Sequence, residues 1–243
     1  KDPGALFHQG VVDYLSKNAL SEGFPAKRLK EAAALRPFPE GNNHQEHAIL
    51  QKQDWKIVPK GWAGVQEGKE YSFFFLYVEI DMLDEWKKKS GASHINKIQE
   101  IFHRHIESTL SPVGGRIWMW MNHAGVVLFP FDGANCPCIE ECVRLILNRK
   151  IASIEEYRYN NLISYSMALH LGNTVYRTRG ETGEIISDTI NFLFHIGKKF
   201  AEREHFYVTE NTLPFIPAGI CNLYSEAGTF EGVRMFSMKL PKN

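Results

Sequence analysis

One uninterrupted apolar run constrains the fold of this chain more than any other feature. Residues 72–81 read Ser-Phe-Phe-Phe-Leu-Tyr-Val-Glu-Ile-Asp, with acidic residues only near the carboxyl end. Because successive side chains of a strand point to opposite faces, a strand that is apolar on both faces must be covered on both sides. The run therefore predicts a buried central strand that ends in carboxylates.

The segments after this run alternate between helical and strand patterns. Apolar steps of three and four residues predict helices, and short alternating runs predict strands. The predicted elements are a helix over 95–110, a hairpin over 116–130, a helix over 139–154, a strand over 163–171, a helix over 189–201, and strands over 206–209 and 232–240. This order predicts an α+β or α/β fold with a mixed central sheet.

Two of these predictions carry further detail. The apolar residues that predict the 139–154 helix are Val143, Leu145, Ile146, Leu147 and Ile151. Ser187 or Asp188 is suited to cap the helix over 189–201, because a short polar side chain accepts from the first free backbone N–H groups.

Charge and composition exclude some classes of function. The 28 basic and 28 acidic residues give a formal net charge of zero, which argues against broad electrostatic binding to nucleic acid or to an anionic membrane. No apolar stretch reaches about 18 residues, so we predict no membrane-spanning segment, and no signal-peptide pattern is present. Since the sequence begins at Lys1 rather than Met, we expect a longer parent protein. We expect this part of it to be cytoplasmic.

Residues 1–70 differ in pattern from residues 71–243, and we predict two parts. Apolar spacing in the first part predicts two short helices, over 11–15 and 26–35, followed by a turn-rich loop. The alternation over residues 55–58 predicts a short strand. We expect a packing arm or coupling segment; the second helix is only modestly basic, which leaves DNA binding as the less favoured alternative.

The four cysteines are Cys136, Cys138, Cys142 and Cys221. The first three follow a Cys-x-Cys-x3-Cys spacing, whereas structural zinc sites usually combine two CxxC pairs. If a helix begins near Ile139, Cys138 and Cys142 share one of its faces. We therefore expect buried or half-buried thiols, with a zinc or redox site as the less favoured alternative.

Several short motifs follow one another along residues 71–240. They are the helix-to-hairpin segment 95–130, Met-Ala-Leu-His-Leu-Gly at 167–172, Ser-Asp-Thr-Ile-Asn at 187–191, Val-Thr-Glu at 208–210 and Glu-Gly-Val-Arg at 231–234. In order and spacing they resemble the catalytic domain of the class III nucleotidyl cyclases. The resemblance implies an α+β sandwich, with a ferredoxin-like mixed central sheet flanked by helices.

The resemblance also implies a reaction. Members of that family convert ATP or GTP to a cyclic nucleotide by in-line attack of the ribose 3′-hydroxyl on the α-phosphate. Two aspartates hold two divalent ions, an Asn orients the ribose, and an Arg four residues later stabilises charge on the phosphoryl oxygens. The sites form between two subunits, so a homodimer or a cyclase-like heterodimer is implied, with Mg or Mn and ATP or GTP at any retained site.

This sequence departs from the family at the metal and base positions. The first metal carboxylate falls on Glu79 or on Asp81: counting back from the Gly-Gly turn favours Glu79, and residue identity favours Asp81. The second carboxylate is replaced by His123, which is a softer and neutral ligand. The purine-reading hairpin residue is Met119, which offers no useful hydrogen bond, and its partner falls on Glu184.

The ribose and phosphate positions are only partly kept. The Asn is retained as Asn191, but the Arg is replaced by His195, which cannot bridge phosphate oxygens as a guanidinium does. Losing one donor to the transition state typically costs about 3–4 kcal/mol, so several losses leave little useful rate. For Asp188 and His170 we favour structural roles, as a helix cap and a packing residue.

We therefore predict a catalytically degenerate cyclase-like domain that regulates, dimerises or senses nucleotide in signalling and needs no cofactor. Because Trp118 and Trp120 flank Met119, their alternation predicts an apolar hairpin surface for a protein partner or a plugged cleft. One alternative is a divergent, Mn-dependent adenylate or guanylate cyclase. Another is a different mixed-sheet module, such as a diguanylate-cyclase relative, although the hairpin lacks a Gly-Gly-Asp-Glu-Phe signature.

Overall fold

A computed structural model describes residues 54–81, 92–121, 123–155, 163–178 and 187–239. Its strands are β1 (Glu70–Ile80), β2 (Arg116–Met121), β3 (Ala124–Pro130), β4 (Tyr165–Val175), β5 (Phe206–Thr209), β6 (Tyr224–Phe230) and β7 (Val233–Met238). Its α-helices are α1 (Ala92–Leu110), α2 (Ile139–Glu155), α3 (Asp188–His195) and α4 (Ala218–Cys221). The α+β fold predicted from the sequence is confirmed.

The strands form one mixed sheet in the order β2-β3-β1-β4-β5-β7-β6. Strand β1 is antiparallel to both β3 and β4, and β4 runs parallel to β5. The apolar run thus forms a strand inside the sheet, as predicted. A site at the end of β1 can draw residues from the β2–β3 hairpin on one side and from β4 on the other.

The side chains of β1 divide between two apolar layers, one on each face of the sheet. In the first layer, Phe74, Leu76 and Val78 pack with the buried faces of α1 and α2. In the second layer, Phe75 and Tyr77 pack with α3 and the outer strands. All five are buried, which explains why this strand has no polar face.

Helix α2 forms where the sequence predicted a helix. Its inward face carries Ile139, Cys142 and Ile146, all fully buried. Leu147 and Ile151, which belong to the apolar set that predicted the helix, are 45% and 55% exposed. Apolar side chains cover too much of this helix for spacing alone to identify the buried stripe.

The predicted helix over 189–201 has two parts. Ser187 is the N-cap of α3, and its hydroxyl accepts a 3.3 Å hydrogen bond from the Ile190 N–H. After His195 the chain continues as a π-helical turn, Ile196–Phe200. A Cβ on Gly197 would lie 2.1 Å from Cε1 of Tyr77, so the turn can approach the sheet only because this residue is glycine.

A β-bulge interrupts the hairpin strand β2. Its register on β3 shifts between Ile117 and Met119. Trp118 is buried and packs with Met119 in the second layer, whereas Trp120 packs against the first layer. The predicted apolar surface shared by Trp118 and Trp120 is therefore wrong, because the extra residue breaks the two-residue alternation.

Residues 54–69 pack against the sheet without forming the predicted strand at 55–58. The backbone there is irregular, although the Val58 N–H donates to the Phe131 carbonyl at 2.7 Å. Trp62 donates from Nε1 to the Gly114 carbonyl, and Arg116 lies over its ring at 4.3 Å. The predicted helices over 11–15 and 26–35 lie outside the described residues, and the predicted boundary at residue 70 stays a prediction.

The end of the described chain adds two elements that the sequence did not predict, β6 and the short helix α4. Strand β6 pairs with β7 through a turn at Glu231 and Gly232, whose φ angles are 48° and 83°. Two positive φ angles are typical of the tightest hairpin turns. No helix in the described part of the chain is long and apolar enough to cross a membrane.

The cysteines lie as expected from their spacing. Cys136, Cys138 and Cys142 are buried, and Cys221 is partly exposed. The Sγ atoms of Cys136 and Cys138 are 3.7 Å apart, and burial raises the pKa of the Cys138 thiol. Deeply buried protonated thiols are poor nucleophiles, so these side chains act as core residues.

Candidate functional site

The end of β1 brings two of the predicted site residues together. Glu79 pairs with Ala124 across β1 and β3, and the Ile80 N–H donates to the His123 carbonyl at 2.9 Å. This pairing holds the hairpin tip beside the strand end. As a result, Nε2 of His123 lies 3.4 Å from Oε1 of Glu79, with both side chains partly exposed.

The second oxygen of Glu79 also has a partner, which the sequence analysis did not identify. The Tyr77 hydroxyl donates to Oε2 of Glu79. Burial of the ring raises the pKa of the Tyr77 phenol, so the phenol stays protonated and acts as a donor. The i,i+2 spacing of Tyr77 and Glu79 on one face of a strand is the sequence signal that could have revealed this contact.

Asp81, the other candidate for the first carboxylate, points to a different group of residues. It is buried just beyond β1, where its Oδ2 accepts the Glu204 N–H at 2.9 Å. Burial raises the pKa of the Asp81 carboxyl, while hydrogen bonds from Glu204, Ser166 and Ser164 act in the opposite direction. Glu79, rather than Asp81, is therefore the carboxylate that lies against His123.

The resemblance assigned purine recognition to Met119 and Glu184. Met119 is half-buried in the second layer, opposite Val126 of β3. Its thioether is a weak acceptor and offers no donor to a base. Glu184 lies outside the described residues.

The ribose and phosphate positions lie on α3. Asn191 is exposed, and its backbone N–H donates to the Ser187 carbonyl at 3.0 Å. His195 lies in the last turn, where Nδ1 is 2.8 Å from Oε1 of Glu231 in the β6–β7 turn. Glu231 was not among the predicted site residues, because only the fold brings this turn to the end of α3.

His170 has the structural role that we expected. It is buried in β4, where Nδ1 lies 3.0 Å from the hydroxyl of Thr209 and burial lowers the pKa of the imidazole to about 4. A Cβ on Gly172 would lie 2.9 Å from Nε2 of His170 and 2.6 Å from Cγ2 of Thr189. The His-x-Gly spacing therefore reflects close packing between β4 and α3.

The described carboxylates and imidazoles offer few ligands for a metal. No group of three or more His, Cys, Asp or Glu side chains within the described ranges is arranged to hold an ion. Glu79 and His123 supply two donor groups, and Asp81 is held by the backbone of Glu204. Within the described residues this arrangement does not provide the two carboxylates of a two-ion centre.

Comparison with solved structures identifies the fold. One similar structure is the non-canonical dimeric guanylyl cyclase domain of the RhoGC fusion protein from the aquatic fungus Blastocladiella emersonii. It aligns with a TM-score of 0.57 and 13% identity over 70% of this chain and 97% of that chain. The adenylyl cyclase CyaB from P. aeruginosa is similar with a TM-score of 0.57 and 15% identity over 73% and 98%. This chain has the class III nucleotidyl cyclase fold.

A third similar structure is the guanylate cyclase domain of RhGC from Catenaria anguillulae, which was solved in complex with GTP. It aligns with a TM-score of 0.54 and 11% identity, covering 72% of this chain and 100% of that chain. No protein-family model matches the sequence of the cyclase-like domain, and no curated protein matches it. At such low identity the comparisons establish the fold, and the function must be argued from the site.

Proposed function

We propose that this cyclase-like domain is catalytically degenerate and acts as a regulatory, dimerisation or nucleotide-sensing module in signalling. The observation that carries the proposal is the pair formed by Glu79 and His123, 3.4 Å apart. Where the family resemblance implies a second metal carboxylate, this chain places an imidazole against the first carboxylate. An imidazole contact at this carboxylate supports a site that has lost its cation.

The residues present do not fit a pair of magnesium ions. Magnesium requires hard oxygen ligands in near-octahedral geometry, and two-ion catalysis requires carboxylates that reach both ions. Both oxygens of Glu79 already face protein groups, His123 and Tyr77. Binding an ion here would require these contacts to break, and among the described residues no second carboxylate offsets the loss.

The phosphate and base positions support the same proposal. His195 contacts the Glu231 carboxylate, whose negative charge disfavours an approaching phosphate. Met119 presents a thioether where a base would need a hydrogen-bonding group. Asn191 alone keeps the side chain that the resemblance assigns to substrate orientation.

We propose further that the domain forms a homodimer, or a heterodimer with another cyclase-like domain, in the cytoplasm. Support comes from the dimeric guanylyl cyclase domain that shares its fold. Partly exposed aromatic residues of the second layer, Phe192, Phe194, Phe200 and Phe230, offer apolar area beside Asn191 for such an interface.

Calorimetric titration of the full chain with ATP and with GTP, each with Mg²⁺ and then Mn²⁺, tests the proposal. A product assay for cyclic AMP and cyclic GMP is run on the same samples. We expect no cyclic product under any condition, whether or not nucleotide binding releases heat. Cyclic nucleotide production that a Glu79→Gln variant abolishes would overturn the proposal.

One observation favours a second candidate function, a divergent cyclase that uses manganese. Glu79 and His123 lie close enough to share one ion, and manganese accepts imidazole more readily than magnesium does. If this candidate is correct, Mn²⁺ supports turnover, and Glu79→Gln and His123→Ala each reduce it. Turnover that survives both changes would belong to a contaminant or to another site.

A further inference from the structure

A groove lies on the opposite face of the sheet from Glu79 and His123. It has a volume of about 700 Å³ and is lined by Asn96, Gln99, Glu100, His103 and Arg104 of α1 and by Trp120 of the edge strand β2. Its volume is within the range of roughly 300–1,000 Å³ that is usual for small-molecule sites. We call this feature the α1 groove.

The polar lining of the α1 groove comes from one helix. Its five residues on α1 are spaced by three, one, three and one positions, which places them on one side of the helix. The other side of α1, with Ile98, Phe102 and Ile106, is buried in the first layer. The core therefore fixes the helix and directs amide, carboxylate, imidazole and guanidinium groups into the groove.

The indole of Trp120 forms the apolar part of the groove, and its position is tightly constrained. A Cβ on Gly125, which faces Trp120 across β2 and β3, would lie 2.1 Å from Cε3 of the indole. The His103 ring packs edge-on against the indole at 4.7 Å, and the Phe102 ring lies at 5.8 Å. Because three neighbours hold it, the indole loses little entropy when a ligand stacks on it.

The charges of the described lining residues balance, which disfavours a phosphorylated ligand. Glu100 offsets Arg104, and His103 is 4.0 Å from Glu107. Two amides, Asn96 and Gln99, add donors and acceptors without adding charge. A rigid aromatic ring beside such groups recognises planar heterocycles, since the ring stacks while the polar groups contact the ligand's edge.

We propose that the α1 groove is a second binding site, independent of metal and of the cyclase-like site, for an uncharged planar nitrogen heterocycle of nucleobase or nucleoside size. The two sites lie on opposite faces of one sheet. Nucleoside binding in the groove therefore does not depend on whether the proposed function is correct, and either proposal can be rejected while the other holds.

Saturation-transfer NMR and calorimetry of the full chain with adenosine, guanosine, cytidine and uridine test this site without added metal. We expect at least one nucleoside to bind, with about tenfold weaker affinity in Gln99→Ala and Glu100→Gln. Trp120→Phe, which keeps an aromatic ring over Gly125, should weaken binding less than Trp120→Ala.

Two matched controls separate the site from its surroundings. Lys97→Ala changes an exposed residue of α1 outside the groove, and Glu79→Gln changes the cyclase-like site. Both should leave nucleoside affinity unchanged. Absence of binding by all four nucleosides, binding that persists in Gln99→Ala and Glu100→Gln, or binding lost in Glu79→Gln would each overturn the proposal.

Discussion

The two faces of the sheet are built differently. The first layer lies beneath two long helices, α1 and α2, and buries a continuous set of aliphatic and aromatic side chains. The second layer packs against the shorter helix α3 and its π turn, and many of its aromatic residues remain partly exposed. The residues at which the sequence departs from the family pattern, among them Met119 and Glu79 with its neighbour His123, lie on or beside the second face.

The largest expected effect on stability comes from a substitution in the first layer. Phe102 is fully buried and packs against Trp120 and Tyr165, with ring centroids at 5.8 and 5.2 Å. Phe102→Ala should lower the free energy of unfolding by about 3–5 kcal/mol. Urea denaturation followed by circular dichroism measures this change.

The matched control is Phe194→Ala in the second layer. Phe194 is partly exposed and packs against Tyr77 with ring centroids 5.5 Å apart. Because Phe194 buries less area, its substitution should lower the free energy of unfolding clearly less than Phe102→Ala does. Equal decreases for the two variants would contradict the difference between the two faces.

The second prediction uses the buried imidazole of His170. Its pKa is about 4 in the folded state, below the ordinary value of 6.5, because burial disfavours the charged form. The unfolded chain therefore binds a proton before the folded chain does. The free energy of unfolding should therefore show no contribution from this group above pH 6.5. It should decrease between pH 6.5 and about 4, by roughly 3 kcal/mol at most.

The measurement is the difference in unfolding free energy between the wild-type chain and His170→Asn across this pH range. Asparagine can keep a hydrogen bond to Thr209 but does not titrate. The variant should lose this part of the pH dependence. An unchanged slope in the variant would assign the acid sensitivity to other groups.

The smallest expected effect concerns the site itself. The His123 side chain is 41% exposed and that of Glu79 is 25% exposed, so their contact is screened by solvent. His123→Ala should change the free energy of unfolding by less than about 1 kcal/mol. Thermal unfolding by calorimetry measures this change. A decrease of several kcal/mol in the free energy of unfolding would mean that the contact of Glu79 with His123 stabilises the fold rather than marking a metal site that has been lost.

Sequence predicted the fold where the apolar pattern is clear. Strand β1 follows from its uninterrupted apolar run and helix α1 from its apolar spacing, and the motif order predicted the sheet around them. Strand β6 was missed because most of its residues are exposed and several are small or polar. The sequence did not identify the buried face of α2, because Leu147 and Ile151 are as apolar as the residues that the sheet does bury.

The candidate site was predicted less completely than the fold. Sequence aligned Glu79 and His123 with metal positions, and the fold brings them into contact. It could not choose between Glu79 and Asp81, because that choice depends on the Glu204 N–H, which lies far along the chain. The contact of His195 with Glu231 depends in the same way on a distant turn.

The bulge in β2 also affects how copies of this chain meet in concentrated solution. An edge strand with regular alternation presents an even row of backbone donors and acceptors, on which a second sheet can extend. The register shift between Ile117 and Met119 interrupts that row near its middle. An incoming strand could match only part of the edge, so the bulge disfavours open-ended aggregation through this strand.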